Sequence, residues 1–294
     1  MPSVTNSKVA RPIVASAVAG ACLVMLAAAA QKPSERIPHL ASHDFGWQTN
    51  VADWQDPPAG MGHGPIKPDA AHPFMSNAEG ARLGKQPTLR IGDTKDPVLK
   101  PWAAKEMADS NVEALTGKLD VPFASQARCY PGGVPGQLLF PFEPMYFVQT
   151  PTDVWMFWQR DHWVRHVFLN REHSKNLKPS WFGESVGHYE NGDTLVIDTV
   201  GLSTKMSFID NFRTPHTAQE HVVERFTIEP DGQHIHALVT VDDPGTFNAP
   251  LHMSQRWFKV NAPMSETVCA ENNNDNNFFN QKLVPIPEDD QPDF

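Results

Sequence analysis

The sequence predicts a mainly β protein: an antiparallel up-and-down, lipocalin-like barrel of about eight strands, with an extended N-terminal arm and one short helix. Three observations lead there. From Gln137 onward the chain breaks into short segments that alternate apolar and polar residues, the pattern of half-buried strands. Two of the intervening turns, Glu190-Asn191-Gly192-Asp193 and Pro230-Asp231-Gly232-Gln233, hold the Asn-Gly and Asp-Gly dipeptides that suit hairpins. The segments follow one another closely, which favours a meander closed into a barrel over a sandwich.

The candidate strands are 144–149, 153–159, 163–170, 184–190, 193–200, 220–229, 233–242 and 252–260. Ahead of them the chain divides by composition. Lys8 and Arg11 precede an apolar run from Ile13 to Ala30, and Ala28 and Ala30 fit a small-x-small cleavage site. Residues 1–30 therefore read as a secretory signal peptide rather than a membrane anchor. A lipoprotein site at Cys22 fits poorly. The expected location is periplasmic or secreted, with no membrane insertion after signal removal. Residues 31–125 are a Pro- and Gly-rich arm, without strand or helix period as far as about residue 98. Its one helix is expected at 101–116, opened by Pro101 and closed by Gly117. Residues 126–270 form the barrel domain, and 271–294 an acidic tail. In an oxidising compartment Cys129 and Cys269 are expected to form a disulfide.

The formal net charge is −10, and two units more negative once Lys8 and Arg11 are removed. That argues against nucleic acid and anionic membrane surfaces as partners. It leaves a small-molecule ligand as the expected partner. Oligomeric state is not legible in the sequence.

The stretch RTPHTAQEHVVERF, Arg213 to Phe226, decides where the ionisable groups point. On a helix His221 and Glu224 would share a face; on a strand they point to opposite sides. Val222, Val223, Phe226, Thr227 and Ile228 favour strand. With Asp231-Gly232 as the turn, Ile228 lies opposite Ile235, Phe226 opposite Ala237, Glu224 opposite Val239 and Val222 opposite Val241. That face is apolar except for Glu224, and His221 faces outward beside Asp242. The same exercise around Asn191-Gly192 sets His188 opposite Leu195, with Val186 and Ile197. Arg165 sits among Trp163, Val167 and Leu169, and Arg256 with Phe258 and Val260. Each apolar stripe thus holds one ionisable residue: Arg165, His188, Glu224 or Arg256. Sharing one interior, they must satisfy one another, because a buried unpaired charge is very costly. Either Glu224 pairs with Arg165 or Arg256 and fixes strand register, or the cluster lines a ligand cavity.

Candidate chemistry follows from these placements. Glu224 and His188 are candidate catalytic groups inside, with Arg165 or Arg256 orienting an anionic or carbonyl group. Asp210, His216 and His221 are candidate acid–base groups at the barrel mouth, and Arg213 and Asp242 are candidate ligand-binding residues there. The blander alternative pairs Asp210 with Arg213 across a tight loop that His216 caps. No organic cofactor is predicted. A metal, if present, would use His188, His216 and His221, whose spacing matches no recognised metal motif. Ser185 in Gly183-Glu-Ser-Val-Gly187 fits G-x-S-x-G, but a nucleophile elbow needs a strand-to-helix turn, and this segment runs into a hairpin strand. Neither a P-loop nor a dinucleotide fingerprint occurs.

The segments CYPGGVPG, GESVGHYENGDTLVIDTVGL, DNFRTPHTAQEHVVERF and VDDPGTFNAP resemble a large family of secreted bacterial proteins of unassigned function. Its members carry G-x-S-x-G-x-[WY]-E-G-D-T-L-V-V-D-T, then R-T-P-H-T and H-V-V-E-R. The resemblance covers roughly residues 128–272 and implies a secreted β-rich domain. His188, Asp198, Asp210, Arg213, His216, His221, Glu224 and Arg225 occupy its most recognisable positions. The chain departs from the pattern in an extra residue at Asn191, in Glu220 where Leu is usual, and in Leu251 where Trp is frequent. The expected function is binding of a small, largely apolar molecule, with acid–base transformation as a lyase, isomerase or hydrolase. The alternatives are a non-catalytic carrier and a structural envelope protein with a buried ion-pair cluster.

Overall fold

The computed structural model describes residues 37–41, 44–85, 90–116, 129–141, 143–205 and 208–268. The expected signal peptide, acidic tail and Cys269 lie outside these residues.

Nine strands close into a barrel in sequence order. They are β1 (Gly46–Gln48), β2 (Met145–Gln149), β3 (Asp153–Trp158), β4 (Val164–Leu169), β5 (Glu184–Glu190), β6 (Thr194–Val200), β7 (His221–Ile228), β8 (His234–Asp242) and β9 (Leu251–Val260). The helices are α1 (Asn77–Leu83) and α2 (Pro101–Thr116). β2 to β9 coincide with the eight expected strands to within one residue at each end, and α2 with the expected helix. β1 has no counterpart in the sequence reading. It comes from the arm and supplies the closing strand, pairing with β2 through Trp47 and Met145 and with β9 from Gly46–Val260 to Gln48–Phe258.

The arm continues along β9. Gln55 pairs with Ser254 and His63 with Leu251, and the Gln255 side chain donates to Val51 O at 3.0 Å. Within the arm, His63 contacts Asp96 at 3.0 Å. α2 presents Ala103, Met107 and Asn111 inward, one turn apart. Trp102, Val112 and Leu115 on its other sides remain substantially exposed.

The all-antiparallel meander needs one correction. β4 and β5 run parallel, with Val167 opposite Ser185 and Leu169 opposite Gly187, while every other junction is antiparallel. The connection over 170–183 makes the crossover, since parallel neighbours cannot be joined by a tight hairpin. Two glycines fit β5 and the turn before it closely against β6, its antiparallel neighbour. Gly183 has φ +59° and a Cβ there would lie 2.4 Å from Val200 O; a Cβ on Gly187 would lie 2.7 Å from Val196 O. The G-x-S-x-G pattern therefore has a backbone cause.

The interior is a packed core. Trp47, Met145, Phe147, Met156, Leu195, Ile197 and Phe226 are almost wholly buried, and Phe226 meets Phe147 and Trp257 with ring centroids 6.1 Å apart in each case. Small barrels fill with side chains in this way. A turn of 3-10 helix at Gly136–Leu139, buried throughout, plugs one region. The 208–216 segment is tied to the arm by Trp54, whose indole donates to Ile209 O at 2.9 Å.

Trp47 tests the closing strand: it is 1 % exposed and donates to Leu40 O at 3.0 Å. Trp47→Ala should lower unfolding free energy by about 3–5 kcal/mol, read from urea denaturation. A change within experimental error would mean that β1 does not close the barrel.

Candidate functional site

The Asp-Gly hairpin has the expected register. Glu224 faces Val239, Phe226 faces Ala237, and His221 faces Asp242. Glu224 is inside and fully buried, and Arg165 beside it is 1 % exposed. Arg165 Nη1 donates to Glu224 Oε1 at 2.9 Å, and Nη2 donates to Glu224 Oε2. Nη2 also donates to Thr199 Oγ1 at 2.7 Å and Nε to Ser185 Oγ at 3.0 Å. The Gln137 amide, oriented to satisfy both neighbours, accepts from Nη1 at 3.1 Å and donates to Gly133 O at 2.6 Å. All five guanidinium N–H donors are thus used. The pair is the fork-to-fork geometry that suits a buried carboxylate. Ser185, the centre of G-x-S-x-G, is spent on Arg165 and Thr199.

Two expected members of this cluster lie elsewhere. The Asn191-Gly192 turn is a three-residue loop, since Glu190 pairs with Thr194 and His188 with Val196. Asn191 and Gly192 both adopt left-handed φ, 53° and 78°. The two-residue turn assumed from sequence is one residue short, and a one-residue slip reverses the facing of the strand. His188 is therefore outside, 2.9 Å from Glu190, and Tyr189 takes the inward place opposite Leu195. Arg256 is also exposed, held by Glu229 through two hydrogen bonds of 2.6 Å. Its strand turns Gln255 and Trp257 inward instead.

The mouth residues separate into anchors. Asp210 accepts from Phe212 N at 2.9 Å, Thr214 N at 3.1 Å and Thr214 Oγ1 at 2.7 Å; burial pushes its carboxyl up. Arg213, with φ 64°, donates to Ser110 Oγ at 2.5 Å, Arg90 O at 3.1 Å and Asn111 Oδ1 at 3.0 Å, fastening the loop to α2. His216 lies buried with Nδ1 2.7 Å from Glu220 Oε2. Both charge and hydrogen bonding tie the Glu220 carboxylate to this imidazole. Burial would push His216 down, but Glu220 outweighs it and the imidazole sits above its ordinary value. Burial likewise raises Glu220.

His221 belongs to a different group, on the outer wall. Its Nε2 lies 2.9 Å from Asp198 Oδ1, and His173 Nε2 lies 2.8 Å from the same oxygen. Asp242 faces His221 across the register and adds its charge, but Asp198 is the direct partner. The Asp198 contact, opposed by partial burial, raises His221. Burial is the largest effect on Asp198 and pushes it up, yet His221 and His173 outweigh it and hold the carboxyl low. His173 Nδ1 turns to Glu184 Oε1 at 3.3 Å. Glu184 also receives Arg171 Nη2 at 2.9 Å, Ser174 N at 2.6 Å and Ser174 Oγ at 2.7 Å. The array spans the outer faces of β5, β6 and β7 and the crossover.

Beside it, over the parallel seam, is a cleft of about 540 Å³. Val164, Phe168, Leu177 and Phe182 give it apolar walls, and Ser174, Lys178 and Glu184 polar ones. Sequence reasoning missed His173, which lies in the connection between β4 and β5, and Glu184, the first residue of β5. The nearest sequence signal was Asp198, which the resemblance singled out.

His188, His216 and His221 are not brought together as ligands. Among the described residues, Glu229, Asp231 and His234 at the β7–β8 turn do approach one another, but Arg256 already holds Glu229 and His234 holds Asp231 at 2.6 Å. No family model, curated protein or solved structure matches the chain.

Glu224→Gln should cost about 3–5 kcal/mol, because it leaves Arg165 buried without its counter-charge. The double change Arg165→Met with Glu224→Leu should recover most of that loss in urea denaturation. Equal losses in both variants would mean that charge pairing is not what the site needs.

The outer pair makes a signed pH prediction. His221, raised in the folded state, contributes stability fully below the unfolded imidazole value of about 6.5 and loses it as pH climbs through the folded value. Asp198, lowered, contributes above about 3.9 and loses that as pH falls through its folded value. Wild type should therefore lose more stability than His221→Gln between about pH 6 and about pH 9. Parallel urea midpoints for the two proteins would refute the pairing.

Proposed function

We propose that this barrel binds a small, largely apolar molecule in the cleft over the β4–β5 seam, and transforms it with the adjoining acid–base array. The observation that carries the reading is Glu184. It lines the cleft and also holds His173, which meets Asp198 together with His221. A cleft of this size suits a small organic ligand. His173, with both ring nitrogens on carboxylates, positions Asp198, and His221 beside it is the imidazole that gives or takes the proton. The reaction class is a lyase, isomerase or hydrolase without an organic cofactor. The packed interior favours the outer wall as the binding place, and the saturated Arg165–Glu224 pair favours a structural role for that pair.

The basic start and apolar run of residues 1–30 support export to the periplasm or beyond, as does the resemblance to secreted bacterial proteins. In that compartment we propose a disulfide between Cys129 and Cys269. A carrier without chemistry is the second reading, supported by the absence of a nucleophile free for covalent catalysis at Ser185.

The test is a titration with N-phenyl-1-naphthylamine, a neutral apolar fluorophore. Leu177→Ala and Val164→Asp, both at the cleft wall, should each weaken binding by about ten-fold or more, equivalent to about 1.4 kcal/mol. Unchanged affinity in both variants would remove the cleft as the site. Once substrate screening finds turnover, His173→Gln and Asp198→Asn should abolish it with fluorophore affinity kept. Full activity in both would leave the array without a catalytic role.

A further inference from the structure

The charges around the cleft are unequally engaged. Glu184 is neutralised by Arg171 at 2.9 Å and saturated by Ser174 and His173. His166 is engaged by Asp153 at 2.5 Å and sandwiched by Trp155 and Phe168 at centroid distances of 3.8 and 3.9 Å. Arg171 lies over the Phe168 ring at 3.4 Å, and its charge is already claimed by Glu184. Lys178 remains. It lines the cleft and is exposed, and it makes no ion pair among the described residues. Glu172 and Lys175, nearby on the same connection, offset one another in formal charge and do not line the cleft. The cleft therefore offers apolar walls and one uncommitted cation.

Building on the cleft as the binding place, we propose that its ligand is a flat apolar molecule bearing a single anionic group, and that Lys178 recognises that group. The apolar part lies against Val164, Phe168 and Leu177, which exclude water from one side of the contact and so strengthen it. An ammonium on a flexible stem suits a carboxylate or sulfonate presented at the rim, where no fixed fork geometry is required. A dianion would lack a second counter-charge, and a cation would be repelled.

Two fluorophores with the same ring system separate the terms. 8-Anilino-1-naphthalenesulfonate carries the anion, and N-phenyl-1-naphthylamine lacks it. Wild type should bind the sulfonate more tightly, with an affinity that falls as salt is raised. Lys178→Gln should weaken the sulfonate by about five-fold and leave the neutral probe unchanged; Lys178→Arg should restore the sulfonate. Leu177→Ala should weaken both. If Lys178→Gln leaves the sulfonate unaffected while Leu177→Ala weakens both probes, the anion inference fails and the cleft survives. If Leu177→Ala changes neither probe, the cleft fails and the inference with it. Lys178 is exposed, so circular dichroism of Lys178→Gln should overlay wild type.

Discussion

Strand parity is the constraint from which most of the architecture follows. A closed sheet whose strands alternate in direction needs an even number of them. β1, drawn from the arm, makes the count nine, so one junction has to be parallel. It falls between β4 and β5, and a parallel junction between consecutive strands demands a crossover rather than a hairpin. The 170–183 connection therefore exists because the barrel is odd. It brings His173, Ser174, Leu177 and Lys178 to the outer wall, and with them the cleft and its array. On the other side of β5, Gly183 and Gly187 let the backbone press against Val200 and Val196 of β6.

Arg165 answers the cost of putting charge inside such a barrel. It lies on the strand next to the seam, reaches Ser185 across it, and meets Thr199 and Glu224 on the following strands. One guanidinium thus links four consecutive strands and the Gly136–Leu139 plug. The desolvation of a buried pair is repaid only when every donor and acceptor is engaged. That condition ties register in β4 to register in β7, since a slip in either would turn its charge outward.

What the sequence made legible was local. The eight strands of the barrel proper follow from alternation and turn residues, and the β7–β8 register follows from Asp231-Gly232. Glu224 and Arg165 inside and His221 outside are consequences of period two; the choice of Arg165 over Arg256 as partner is not. The failures are equally specific. Asn191-Gly192 looked like a two-residue turn, but Asp193 joins the loop, and that single residue carried His188 from the interior to the surface. Arg256 was grouped with Phe258 and Val260, although β9 buries Gln255 and Trp257. β1 is three residues long within a Pro- and Gly-rich arm, too short to show any period. Without it the parity argument could not be made, and the cleft, which depends on the crossover, stayed invisible. Asp198, His173 and Glu184 are far enough apart in sequence that only the folded sheet unites them.

The same closing strand also orders events in time. Gly46 pairs with Val260, so the first strand made waits for the last. A chain that emerges from its N-terminus can pair Trp47 with Met145 midway, but its β9 partner Lys259 comes only when nearly the whole barrel has been delivered. Contacts of such long separation come late, after the loop entropy of the intervening chain has been overcome. β7 and β8, joined by their own turn, can form early, and the arm docks onto an almost finished wall. The polypeptide consequently stays open, unable to complete its fold, for most of the interval in which it is being made.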